Sequence, residues 1–474
     1  MRVLFATAEL APVARVGGLA EASAGLVRQL RADGESVDVV LPDYSGVTLA
    51  DEHVTELAVP DWAGTIARVR RGVHAVAGPL TLVATAGIVR PNPYVDADGE
   101  GWPDNDVRFF GFAAAVAALA TADRPDVLHL NDWHTAPAFG FLADPPPAVF
   151  TIHTLGHQGV VGAEWLDRLP YRSDVFEGFG DTSRVANPML AAIRLADRVI
   201  AVSPTYAREI VTPQSGMGLD GELAARGTAL VGIRNGIDVG EWNPATDAHL
   251  ATRYDARSVV GGKAACRAAL LGWAGFAGPP VVADEPVIGV VSRLVEQKGI
   301  DLLLEAVPFL YHLGARLVVV GSGDVALADR LRYLAEVYPD RLVFVDGYHA
   351  DLAHQVFAGA DLFAMPSRFE PCGLAQMQAM AYGTLPVVTD VGGLHDTVVD
   401  ADAVPERGTG IAAHVPSAAA FTDALWRAAR LWSDKPRRSA AQHRAMSEDW
   451  SWAAPAAAHV DLYQAVTNGV RHHL

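Results

Sequence analysis

The chain has 474 residues, half of them apolar, about three times the length of a typical domain and enough for more than one sizeable core. Its 37 Lys and Arg against 55 Asp and Glu leave a formal charge of -18, which excludes the basic footprint of a protein whose main partner is nucleic acid or an anionic membrane. Two cysteines, Cys266 and Cys372, lie far apart and exclude a disulfide framework and a CxxC metal site.

The opening MRVLFATAEL has one short apolar run and no cleavage-like site, so it reads as a first β-strand at 3–5 rather than a signal peptide. No apolar stretch approaches the ~20 residues of a membrane span, and a cytoplasmic chain is expected. Leu19, Ala22, Leu26, Val27 and Leu30 form one helical stripe, with Gly34 as its stop. Further strands are predicted at 37–41, 127–130, 149–153 and 199–202. The second half restarts the scheme, with strands at 287–291, 317–320, 342–345, 362–365 and 386–389 and Ala- and Leu-rich helices between them. Such alternation predicts parallel sheets covered by helices, an α/β fold of two Rossmann-like doubly wound domains. Residues 272–286 read as an irregular join. The domains are placed at 1–255 and 256–445, with a closing segment, 446–474, packing on the first.

One device occurs in both halves. VGGL at 16–19 and again at 391–394 opens a helix, and paired glycines there let bare backbone N–H groups approach an anion that the helix dipole favours. Gly17, Gly18, Gly392 and Gly393 are therefore expected to grip one diphosphate across a cleft. Arg293 and Lys298 follow strand 287–291 at its carboxyl end, where open α/β sheets bind ligands. A departing nucleoside diphosphate gathers negative charge, which a guanidinium fork and an ammonium can neutralise without a metal.

Glu370 lies in PSRFEPCGL, 366–374, where Pro371 imposes an extended or turn backbone before a long helix expected from Gly373 and Leu374. A carboxylate at that turn can hold a sugar hydroxyl. His153 closes strand 149–153, and Asp132, Trp133 and His134 follow strand 127–130, again at carboxyl ends. The pairs Asp96/Asp98 and Asp400/Asp402 have DxD spacing but neither a preceding strand nor a third ligand, and read as solvated turns. Gly321 and Gly323 are a fragment of a dinucleotide fingerprint that is incomplete, because position 326 is Ala. No metal and no cofactor is expected; the partners are a nucleotide sugar and a sugar acceptor.

Together these motifs resemble the bacterial glycogen synthase and plant starch synthase family, glycosyltransferase family 5 of the GT-B fold. The likeness runs through VGGL at 16–19, the segment 92–110, NDWH at 131–134, FTIH at 150–153, VSPTYAREI at 202–210, RNGID at 234–238, SRFEPCGL at 367–374, YGTLP at 382–386 and DWSW at 449–452. It implies retaining transfer of glucose from ADP-glucose to the non-reducing end of an α-1,4-glucan. It also implies that Arg293 and Lys298 hold the diphosphate, Glu370 the donor sugar, and that His153 sits beside the reacting carbon. Tyr348 would stack on the base. Arg15, Gly17, Gly18, Cys372, Gly373, Leu374, Gly392 and Gly393 would line the donor side, and Glu21, Asp132, Thr154 and His157 the acceptor side.

Several positions depart from the family pattern. Arg15 stands for Lys, Glu21 for Asp, Thr154 for Asn, His157 for Tyr and Val391 for Thr, and position 378 is Gln where related transferases carry a second Glu. These changes cluster at the donor and acceptor positions. They support an alternative: a family member repurposed in specialised metabolism, using another nucleotide sugar or a nucleotide-linked cyclitol and a small sugar acceptor. A third reading, a non-catalytic sugar-nucleotide or glucan binder, is opposed by the retention of His153, Arg293, Lys298 and Glu370.

Overall fold

The computed structural model describes residues 1–44, 46–96, 99–180, 183–277, 285–347 and 349–469. Tyr348, Asp98, part of the join at 278–284 and the end of the tail lie outside the described residues. The chain divides into two compact units, one made of residues 1–236 with the segment from Trp452 onward, the other of residues 237–451. The division thus falls after Gly236 rather than after residue 255, and the closing segment begins at Trp452 rather than at 446. The stretch that changes sides is pinned by polar contacts within the second unit. Tyr254 donates its hydroxyl to the Tyr382 carbonyl at 2.9 Å, and Asp247 accepts from the Tyr382 hydroxyl at 2.5 Å and from His354 at 2.8 Å.

The strands of the first unit are β1 (Arg2–Ala6), β2 (Ser36–Pro42), β3 (Ala50–Ala58), β4 (Ile66–His74), β5 (Gly78–Ala84), β6 (Val127–Asn131), β7 (Ala148–Ile152), β8 (Val161–Gly162), β9 (Glu177–Phe179), β10 (Arg184–Ala186), β11 (Arg198–Ala201) and β12 (Leu230–Gly232). Among the described residues the main sheet has nine strands in the order β12-β11-β7-β6-β1-β2-β5-β4-β3, while β8, β10 and β9 form a small antiparallel sheet. From β12 to β5 every pairing is parallel. At the far edge β5, β4 and β3 run antiparallel, so the expectation of a purely parallel sheet is corrected. The edge has no periodic signal in the sequence, because β3 is largely exposed and lacks a continuous apolar run, whereas β1, β6 and β7 are buried on both faces and read as one.

Helix α1 (Gly18–Ala32) buries Ala22, Leu26, Val27 and Leu30 against Val3 and Phe5 of β1. The C-terminal helix Ala453–Thr467 adds Ala456, Tyr463 and Val466 to the same core. Gly25 of α1 is where Trp452 seats: a Cβ there would lie 2.0 Å from the indole Nε1.

The second unit contains β13 (Val287–Val291), β14 (Arg316–Gly321), β15 (Leu342–Asp346), β16 (Leu362–Met365), β17 (Leu385–Thr389) and β18 (Ile411–Ala413). Their order is β15-β14-β13-β16-β17-β18, all parallel. Counted within the unit this is 3-2-1-4-5-6, the doubly wound dinucleotide-fold order, whose ligand crevice opens at the switch point between β13 and β16. The helix expected to be long after Gly373 spans only Ala375–Ala381, because Gly383 turns the chain with φ +70° before β17 begins.

Candidate functional site

In the second unit the switch point brings together residues separated in sequence. The chain leaving β13 carries Arg293 and a short 3-10 turn, Glu296–Lys298; the chain leaving β16 carries Ser367 and Glu370. Lys298 Nζ lies 2.6 Å from Glu370 Oε2, and Ser367 Oγ donates to the same oxygen at 3.0 Å. Glu370 is buried and Lys298 partly buried, so the pair is shielded from bulk water. Arg293 is exposed, and among the described residues its guanidinium has no partner.

The Gly-Gly turn of this unit works differently from expectation. Gly392 has φ +45°, and Gly393 donates its N–H to the Glu370 carbonyl at 2.9 Å. A Cβ on Gly393 would lie 2.1 Å from the Cys372 carbonyl oxygen. Gly393 is therefore required by the close approach of the Glu370 turn, and its N–H is already used within the fold; the helix it enters, Gly392–Thr397, has six residues. Gly373 has φ +70°, Leu374 is half-buried, and Cys372 is buried with its carbonyl accepting from Gln376 at 3.1 Å.

In the first unit, Asp132 follows β6 with φ +53° and is buried. Its Oδ1 accepts the backbone N–H of His153 at 2.8 Å and of Thr154 at 3.4 Å. Burial pushes its carboxyl up to about 7 despite those bonds. His153 lies just past β7, which ends at Ile152, and its Nε2 is 3.0 Å from Asn131 Oδ1. Burial pushes the His153 imidazole down to about 3, as it does for His134. His134 stacks on Tyr94 with ring centroids 5.0 Å apart, and its buried Nδ1 has no partner among the described residues. Thr154 Oγ1 accepts from the Gly156 N–H at 3.3 Å, and His157 is exposed. Beneath His153 a cavity of about 10 Å³, bordered by Ser23, Asn131, Thr151, Asn235 and His459, is large enough for about one water.

Motif reading missed Glu9. This buried carboxylate follows β1 at the switch point between β1 and β6. Its Oε2 accepts the N–H groups of Val16 and Gly17, each at 2.8 Å, and its Oε1 accepts the Tyr94 hydroxyl at 2.8 Å. The Gly17 N–H, expected to meet a diphosphate, thus binds the chain's own carboxylate at the start of α1. Gly18 remains open, with no atom beyond its chain neighbours and its own helix backbone within 4 Å of where its Cβ would stand. The signal available in the sequence was position: an acidic residue just beyond the first strand of a doubly wound sheet. Arg15 and Glu21 are paired at 2.7 Å, so two apparently separate departures are one contact. The Asp400/Asp402 pair is not a solvated turn: Asp400 accepts from Arg427 at 2.7 Å and from the N–H groups of Asp402, Ala403 and Ala412 at 2.8, 3.2 and 3.0 Å. Among the described residues no cluster of His, Cys, Asp or Glu is arranged to hold a metal, and no helix is long and apolar enough to cross a membrane.

Comparison with known proteins bears on both units. Residues 2–225 match the family model of the starch synthase catalytic domain, and residues 285–430 match that of the glycosyl transferases group 1. The glycogen synthase of Halorhodospira halophila is 42% identical, covering 98% of this chain and 99% of that protein. The glycogen synthase of Thioalkalivibrio sulfidiphilus is also 42% identical, with 98% and 99% covered. The catalytic domain of Starch Synthase IV from Arabidopsis thaliana, bound to ADP and acarbose, superposes with a TM-score of 0.87 at 29% identity, covering 98% of this chain and 99% of that one. Sucrose-phosphate synthase from Thermosynechococcus elongatus shares the fold, with a TM-score of 0.62 at 20% identity.

The fold is GT-B, and the protein is a glycosyltransferase. Within that class the chain belongs to the glycogen synthase and starch synthase family.

Proposed function

We propose that this enzyme transfers glucose from ADP-glucose to the non-reducing end of an α-1,4-glucan, with retention at the sugar carbon and without a metal, in the cytoplasm. The observation that carries the reading is full-length likeness to glycogen synthases, 42% identity over 98% of the chain. It favours a glucan synthase over a repurposed relative, and the pairing of Arg15 with Glu21 reduces the number of independent departures.

In this reading the second unit takes the donor. Arg293 and Lys298 meet the diphosphate, where preorganised cations stabilise the charge that builds on the leaving oxygens. Glu370 holds the Lys298 ammonium and presents its carboxylate to a donor hydroxyl; its 2.6 Å contact keeps the cation in place before substrate arrives. The first unit takes the acceptor. Asp132, Glu9 and Tyr94 are hydrogen-bonding groups of the kind a polyhydroxylated chain requires, with Glu9 and Tyr94 joined at 2.8 Å. His153 lies beside the transferred sugar. Retention requires the incoming oxygen to end on the face from which the diphosphate departs.

The test is incubation with ADP-glucose and a maltooligosaccharide, followed by mass analysis. A ladder of products separated by one hexose supports the reading. Turnover only with another nucleotide donor, ending after one added unit, overturns it.

A further inference from the structure

Asn131 is the last residue of β6, His153 stands just beyond β7, and the parallel register pairs Asn131 with Thr151. The two side chains are therefore neighbours at the carboxyl edge of the sheet. Asn131 is fully buried, 1% exposed, and its amide has only one orientation that satisfies both ends. Its Nδ2 donates to the Ala6 carbonyl of β1 at 3.0 Å, which leaves Oδ1 facing His153 Nε2 at 3.0 Å. An amide oxygen can only accept, so the proton of that bond belongs to Nε2. The Thr151 hydroxyl, on the same face of β7, does not compete, because His129 Nε2 engages it at 2.7 Å and His129 is itself held by Tyr463 of the C-terminal helix at 2.7 Å. The ring is held at its base by the bond from its backbone N–H to Asp132.

We infer that Asn131 is a positioning residue that locks the His153 imidazole as its Nε2–H tautomer, leaving Nδ1 as a bare acceptor. The inference deepens the functional reading above and rests on its placement of His153 beside the transferred sugar. Burial keeps the ring neutral, its proton affinity lowered to about 3, so Nδ1 gains no second proton near neutral pH. A ring in this state accepts a hydrogen bond from a sugar hydroxyl through Nδ1 and does not donate one. The other tautomer would present a donor there and repel a hydroxyl proton. Asn131 thereby sets the hydrogen-bond polarity of a position it does not itself reach.

The test uses the full chain labelled with ¹⁵N-histidine, together with Asn131→Leu, His153→Ala and the double variant. The His153 ring signals are assigned by their loss in His153→Ala. In the unaltered protein Nε2 is expected to be protonated and Nδ1 bare between about pH 5 and about pH 9. Asn131→Leu should lose that single-tautomer signature and lower kcat by about 10- to 100-fold, the size of loss known for groups that orient a metal-bound imidazole. KM for ADP-glucose should stay within roughly threefold, and the double variant should be no slower than His153→Ala alone, because the two act as one unit. Protonated Nδ1 in the unaltered protein overturns the inference with no variant needed. So do an unchanged tautomer in Asn131→Leu and rate losses that multiply in the double variant. If instead the tautomer behaves as expected while His153→Ala retains full turnover, the tautomer assignment stands and the placement of His153 beside the sugar falls.

Discussion

Acidification from about pH 7 to about pH 5 is expected to destabilise the N-terminal unit by at least about 2 kcal/mol. His134 and His459 are buried there, and burial pushes their imidazoles down to about 3 and about 4. In the unfolded chain both titrate near 6.5. The unfolded state therefore binds the extra protons, and the stability contributed by each neutral ring is present above about 6.5 and lost as pH falls toward the folded values. Over this range each ring costs about 2 kcal/mol. His129, pushed well down by burial, and the partly buried His153 act in the same direction. Asp132 opposes them. Its carboxyl is raised to about 7 in the folded state, so its contribution is complete at low pH and is lost as pH rises through the same window. Acidification regains about 2 kcal/mol there. His134 and His459 alone outweigh the one carboxyl, and His129 adds to the net loss, set against a typical total stability of about 5–15 kcal/mol. Urea unfolding of the intact chain at several pH values measures it, and amide hydrogen exchange in β6 and β7 assigns it to this unit. Asp132→Asn keeps an oxygen for both backbone N–H groups and removes the opposing titration, so the pH-dependent loss should deepen by about 2 kcal/mol. A midpoint that does not move with pH, or an Asp132→Asn variant with an unaltered pH slope, would refute the reasoning.

Lys298→Ala should lower kcat by about 10²- to 10³-fold while changing donor KM less, since leaving-group charge is largest in the transition state; steady-state kinetics with unchanged kcat would remove Lys298 from the mechanism. Activity should survive EDTA if Arg293 and Lys298 supply the positive charge, as proposed above, and strict recovery on adding Mg²⁺ or Mn²⁺ would contradict that. Gly25→Ala places a methyl 2.0 Å from Trp452 Nε1, so the thermal midpoint should fall by an amount equivalent to about 1–3 kcal/mol and the segment after Trp452 should become protease-sensitive; an unshifted midpoint would show that the C-terminal helix does not depend on this seat. For the Arg15–Glu21 contact, the double variant Arg15→Lys/Glu21→Asp should recover activity that each single change loses, and strictly additive losses would show that the two residues act independently.

The sequence determined the features that depend on neighbours along the chain. Strands buried on both faces are continuous apolar runs, so 287–291 and 362–365 were legible to the residue as β13 and β16. The residues at their carboxyl ends followed, because a polar side chain just past such a strand stands at the rim of the sheet. Motif order also pointed to the family. The tertiary structure decided what those rim residues touch. Lys298 and Glu370 are 72 residues apart, and only the adjacency of β13 and β16 in the sheet order makes them an ion pair. Glu9 reaches the Gly17 N–H because the loop after β1 folds back on the start of α1, so a glycine pair read as an open anion site meets an internal carboxylate first. Asn131 and His153 gain their relation from the parallel register of β6 and β7, and Trp452 reaches Gly25 only when the chain end returns to the first unit. Periodicity records which face of a segment is buried. Strand order and register, set by how the whole core packs, choose the partners that face then meets.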